Sequence, residues 1–457
     1  MISRTTFTSL ILVTAFAAAA SAQQRPAIRQ LGAVTAKSTE ALSVVAGLRP
    51  LPDGRVFVND NNNRRVLLFD PALKTFTVVA DSTSATANAF SGRIGGLITY
   101  RGDSTIFADP MSLSMLVIDP NGKVARVMSV PRSQDAMMLA NMGAGGAAFD
   151  AAGRLIYRAP PNLRRPNIAP GGAFTMPEIP DSTAIVRMDL TSRKMDTLGF
   201  IKIPKVKLDV TRDDNGRVTA TSQINPLPVV DDWAVLSDGT VALVRGRDYH
   251  VDFVRADGTR ASAVKVPFDW QRLTDEDKVA FLDSLKAARE RLGPNATMGG
   301  LGAMAGAMMG AGPQMVIVGG PGGGPGGPGG PGGPGGPGGP GGAAAPGGGA
   351  NIRIGGPGGG PGIHMNFVPA SELPDYKPPF FAGSVRADTQ GNLWIRTIPT
   401  KAIPGGPVYD VLNQKGELVD RVQIPENRTI VGFGSDGTVY LAARDKTVFY
   451  LERAKLR

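Results

Sequence analysis

The chain has 457 residues, no cysteine, two histidines and a formal net charge of +10. Without cysteine, thiol catalysis and thiolate metal sites are excluded, and two histidines are too few for a multi-histidine zinc centre within one chain. The lysines and arginines are scattered with no basic tail, so the positive balance points to anionic envelope components and not to nucleic acid.

The first residues read as an export signal. Arg4 is followed by an apolar run from Ser9 to Ala20, and Ala20-Ser21-Ala22 fits the small-x-small rule for cleavage after Ala22. The run is shorter than the ~20 residues a spanning helix needs, and Gln23, Gln24 and Arg25 follow at once. The expectation is a signal peptide over 1–22 and a mature chain over 23–457, periplasmic or secreted and not integral to a membrane.

A repeat then begins at Gly47. Leu48 to Leu51 is a short apolar strand, Asp53-Gly54 a hairpin turn, Val56 to Val58 a second strand, and Val66 to Phe69 a third after a polar loop. The same order returns around the turns at Gly102-Asp103, Gly153, Asp238-Gly239, Gly391 and Asp436-Gly437. A fourth strand follows in several copies, as in Val124 to Val130, Ala263 to Val266 and Leu418 to Ile424. Four-stranded units repeated in this way predict an all-β chain, a β-propeller of six blades. The last copy ends at Leu451 with no room for a fourth strand. Either Gln30 to Ala36 or Ala41 to Val45 is therefore expected to complete the sixth blade and close the ring.

Two insertions interrupt the repeats. Ala159 to Thr183 reads as an extended loop in the third blade. The larger insertion, about 268–381, falls between blades four and five. It opens with a helix over about 275–292, N-capped by Thr274 and stopped by Gly293-Pro294. Within it, Gly319 to Gly362 carries proline at every third position from Pro325 to Pro340 and almost no apolar side chain, so a disordered or polyproline-like surface loop is expected.

The stretch Leu51-Pro52-Asp53-Gly54-Arg55-Val56-Phe57-Val58-Asn59-Asp60, with Arg65-Val66 after it, resembles the six-bladed propellers of the NHL-repeat and gluconolactonase (senescence-marker) families. That resemblance implies blade architecture over most of the mature chain and speaks poorly to function. In the lactonase family a Glu, an Asn and an Asp hold a divalent cation in the central channel. Glu40 is the one residue near an equivalent position, and the set does not map onto this sequence. No cofactor is implied, and no catalytic or metal residue is assigned. A cation in the channel is what a lactonase-type reading would require.

The candidate site comes from the ends of the second strands. Aligned on the turn glycines, the loop mouth of the channel would carry Asp60 and Asp109 on one side and Arg158, Arg245 and Arg396 on the other. Guanidinium forks there would hold an anionic or zwitterionic ligand, unless the charges pair with one another between blades. His250 lies at a strand start and His364 inside the large insertion. The leading expectation is a non-enzymatic binding module of the cell envelope for a small anionic ligand, a glycan or an envelope protein. A metal-assisted hydrolase of the lactonase type and an interaction scaffold using the insertion as its arm are the alternatives.

Overall fold

The computed structural model describes residues 25–83, 90, 94–140, 146–162, 180–212, 218–292, 363–401 and 403–456. The expected signal peptide at 1–22 and the glycine-proline run at 319–362 lie outside the described residues, as does most of the 159–183 loop. No helix among the described residues is long and apolar enough to cross a membrane.

Strands β1 (Ile28–Gln30) and β2 (Val34–Lys37) precede the repeats. Blade one is β3 (Gly47–Pro50), β4 (Val56–Asp60), β5 (Arg65–Phe69) and β6 (Phe76–Ala80). Blade two is β7 (Gly96–Thr99), β8 (Thr105–Asp109), β9 (Ser114–Ile118) and β10 (Val124–Ser129), followed by the short helix α1 (Ala136–Ala140). Blade three is β11 (Ala148–Phe149), β12 (Leu155–Arg158), β13 (Ser182–Met188) and β14 (Met195–Lys202). After the hairpin β15 (Val206–Arg212) and β16 (Val218–Ile224), blade four is β17 (Asp232–Val235), β18 (Val241–Arg245), β19 (His250–Val254) and β20 (Arg260–Ser262). Helix α2 (Asp275–Leu292) and strand β21 (Ile363–Phe367) belong to the insertion. Blade five is β22 (Val385–Ala387), β23 (Leu393–Arg396), β24 (Val408–Leu412) and β25 (Leu418–Gln423). Blade six is β26 (Arg428–Phe433), β27 (Thr438–Asp445) and β28 (Val448–Lys455).

The missing strand of blade six is β2, which runs antiparallel to β28 with Val34 opposite Ala454 and Lys37 opposite Glu452. The preceding β1 goes to the next sheet, adding in parallel to β25 with Ile28 opposite Arg421. One N-terminal segment thus covers the outer edges of two blades, the edges that would otherwise present unpaired backbone. Each pair of neighbouring blades encloses its own apolar cluster. Val56 and Val58 pack on Tyr440 and Leu451 across the closure, and Phe57 packs on Leu97 and Phe107 of blade two. The turns touch as well. At Gly239, with φ +84°, an added Cβ would stand 3.0 Å from the Asp150 Cβ of the preceding blade.

The insertion opens with the helix expected over 275–292, and at its other end carries a strand that the sequence did not reveal. Thr274 and Asp277 cap α2 reciprocally, the Asp277 amide donating to the threonine hydroxyl at 3.2 Å and the Thr274 amide to the carboxylate at 3.0 Å. Leu282 packs with Val368 and Leu373 in a small separate core. Strand β21 joins β16 in parallel, making a three-stranded sheet outside the blades. His364, which the sequence places inside the large insertion, lies in that strand opposite Thr221. The sequence between β15 and β16 holds Asn215-Gly216, a hairpin-turn pair that the blade pattern passed over, whereas strand β21 has no such signal beside it.

Candidate functional site

The register divides the five expected site residues into two groups. Matching the inner pairs Pro50–Val56, Phe149–Leu155, Val235–Val241 and Ala387–Leu393 places Arg158 and Arg396 level with Asn59. The same register places Arg245 level with Asp60 and Asp109, one residue further along. Side chains alternate along a strand, so that single step turns Arg245 to the opposite face. Arg158 shares the side of Ile156, which packs on Trp233 of blade four, while Arg245 shares the side of Leu243, which packs on blade three.

The backward-facing group is held by its own blades. Arg245 donates to Asp252 at 2.7 Å, to Asp231 at 2.9 Å and to the Phe200 carbonyl at 2.8 Å. Burial lowers its affinity for the proton, but these two carboxylates outweigh that and raise the pKa. Asp60 is fully buried and accepts from the amides of Ser43 and Val44, the Ser43 hydroxyl, Asn63 and Arg65. Asp109 accepts from the Met111 amide at 3.0 Å and the Ser112 hydroxyl at 2.6 Å. These three charges do not pair with one another between blades, as the alternative to a site expected: Arg245 and Asp60 meet charged partners in or next to their own blades, and Asp109 meets an amide and a hydroxyl of the loop after its strand.

The forward-facing group forms an arc across blades three to five. Burial pulls the Arg158 guanidinium below its ordinary pKa, with the charge of Asp232 opposing, and its side chain reaches the Met138 sulfur at 3.9 Å. Asp232 opens inner strand β17 and is pushed up to about 6 by burial, against amide bonds from Val385 and Trp233 at 2.9 Å each and the charges of Arg386 and Arg158. Arg396 is 5% exposed, and burial lowers its pKa against the opposing charge of Tyr409.

The open space is at the other end. A cavity of about 830 Å³ occupies the axis at the inner turns, and all six blades line it. Two carboxylates and three guanidiniums reach it. Asp150 is taken up by the Arg154 amide at 2.9 Å and side chain at 2.8 Å. Asp388 accepts from the amides of Gln390 and Asn392, the Asn392 side chain and the Trp394 indole. By contrast, Arg386 donates to the carbonyls of Gly383 and Val385, at 3.1 and 2.9 Å. Arg49 donates to the Pro50 carbonyl, and its buried Nε has no hydrogen-bond partner among the described residues. Burial depresses the Arg49 pKa, and the nearby charge of Asp103 opposes the shift. Arg101 is the third cation, exposed at the rim. Sequence reasoning looked at the second-strand ends and missed this set. The repeat carries the signal nonetheless: Arg49 and Arg386 each stand five residues before their turn glycines, Gly54 and Gly391.

No group of three or more His, Asp or Glu side chains that could hold a metal occurs among the described residues. No protein-family model matches the chain, and no curated protein matches it. Among solved structures, it matches a gluconolactonase from Xanthomonas campestris at 11% identity and a TM-score of 0.37, over 95% of this chain and 99% of that one. It matches a calcium-binding regucalcin from Agrobacterium tumefaciens at 10% identity and 0.38, over 94% and 98%. A virginiamycin B lyase from Staphylococcus aureus matches at 10% and 0.35, over 94% and 99%. These likenesses concern the six-bladed propeller alone, which the sheet order establishes independently.

Proposed function

We propose that the protein is an exported binding module of the cell envelope whose axial cavity takes a small anionic ligand. The observation that carries this reading is an imbalance. The cavity's carboxylates are spent on their own turns, while the hydrogen bonds of Arg49 and Arg386 go to backbone carbonyls, and Asp103 and Asp232 act on them only as nearby charges. A desolvated guanidinium without an anionic partner is costly, and a carboxylate or phosphate would offset that cost with charge-assisted bonds. In this reading Arg158 is a further contact toward the far mouth, while Arg245, Asp60 and Asp109 hold the frame and Arg396 is a buried residue of blade five. A dication would meet guanidiniums in the same space, so the charge arrangement favours an anion over the metal-assisted hydrolase alternative.

Calorimetric titration with inorganic phosphate and with a short dicarboxylate tests the reading. Saturable, salt-sensitive binding is expected. Arg49→Ala and Arg386→Ala should each weaken it by about tenfold or more, from the loss of a charged hydrogen bond. Unchanged affinity in both variants would refute it.

A further inference from the structure

Gln271–Leu273 and Asp375–Lys377 form a short antiparallel ribbon beside blade four, flanked by Trp270 on one strand and by Pro374 and Pro378 on the other. Arg272 bridges Tyr376, the Leu273 amide donates to the Asp375 carbonyl at 2.8 Å, and the Lys377 amide to the Gln271 carbonyl at 2.9 Å. In an antiparallel ribbon, opposed residues and their second neighbours share a face, which puts Trp270, Tyr376, Pro374 and Pro378 together. They line a groove of about 550 Å³, closed on the propeller side by Lys265 and Asp248. Trp270 is 40% exposed and Tyr376 49%, although the other two tryptophans are fully buried. Phe268 packs edge-to-face against Trp270 and steadies it, with ring centroids 5.2 Å apart. Large aromatic rings held open to solvent in a groove, beside prolines, are the chemistry that receives polyproline II chains.

We propose that this groove docks a polyproline-type chain, and that its occupant is this chain's own proline run, Pro325 to Pro340. A proline at every third residue places all six rings on one edge of a helix with three residues per turn, about 9 Å apart. The glycines between them leave that edge free for ring-to-ring approach. The run belongs to the same insertion as the groove: it leaves the described structure after Leu292, 33 residues before Pro325, and the chain re-enters at Ile363. A tether of that order keeps the run near the groove at roughly millimolar effective concentration, so an intrinsically weak contact is about half occupied or more. The interaction folds the insertion's low-complexity arm back onto the propeller.

Acrylamide quenching of tryptophan fluorescence reads the groove directly, because Trp233 and Trp394 are shielded in the core. In the full chain Trp270 should be protected. Replacing the six prolines by glycine should raise its quenching constant about twofold, the change expected from releasing a half-occupied site. A synthetic proline-glycine-glycine repeat peptide should restore protection to the substituted chain at millimolar concentration. The same peptide should add less protection to the unsubstituted chain, whose groove is already about half filled. Circular dichroism of both chains checks that the propeller is intact. Equal quenching with and without the prolines would overturn the proposal. Protection that disappears on dilution would also overturn it, since the occupant would then be a second copy's run.

Discussion

Asp232 offers a measurement that depends on its burial and on little else. Its carboxyl is 1% exposed and pushed up to about 6, against about 3.9 for an unfolded aspartate. The folded protein therefore binds this proton more tightly than the unfolded chain does. Ionised Asp232 costs stability, and the cost is absent below the unfolded pKa, grows as pH rises between the two values, and is complete above the folded one. Two pKa units correspond to about 3 kcal/mol at neutral pH, of which roughly 2 kcal/mol develops between pH 4.5 and 7.5. Asp232→Asn keeps an oxygen for the Val385 amide while removing the charge. Urea denaturation of both proteins across that range isolates the group, because every other carboxylate is common to both. The variant should gain on the parent by about 2 kcal/mol as pH rises. A stability difference that stays flat with pH would mean that Asp232 keeps an ordinary pKa, paired more closely with Arg158 or Arg386 than burial implies.

Two further outcomes separate frame from site. Arg245→Ala leaves Asp231 and Asp252 without their cation, so it should lower unfolding stability by about 1–3 kcal/mol. Anion affinity by titration should stay unchanged, and a loss of affinity would place Arg245 in the site. Removing residues up to Lys37 strips β1 from β25 and β2 from β28 and opens two sheet edges, so the melting temperature should fall by more than about 5 °C. An unaltered melt would show that the ring does not depend on this closure.

Much of the architecture was legible in the chain. The glycine turns mark each blade because a tight hairpin needs positive φ, as at Gly54 with φ +87°. The missing strand after Leu451 announced the closure, since a blade short of a strand leaves an edge. The candidate site was less legible. Aligning on turn glycines left Arg245 one residue out of step with Arg158 and Arg396, and in a strand one residue is the difference between two faces. Arg49 and Arg386 sat at a shared repeat position but could not be weighed as site residues, because nothing in the sequence tells which carboxylates stay free to pair with them.

Local chemistry repeated along the chain is enough to specify six hairpin-rich units, the N-terminal strand that completes the last, and the cap that starts α2 at Thr274. Those features depend on contacts between near neighbours in sequence or on the need to cover an edge, and a linear reading captures both. Which charges cancel was decided only when the ring closed. Asp388 is consumed by the turn that carries it, Asp232 of blade four is buried against the Val385 amide of blade five, and Arg49 enters a cavity that no single blade contains. Electrostatic balance at the axis is a sum over all six blades, so only the assembled ring settles it.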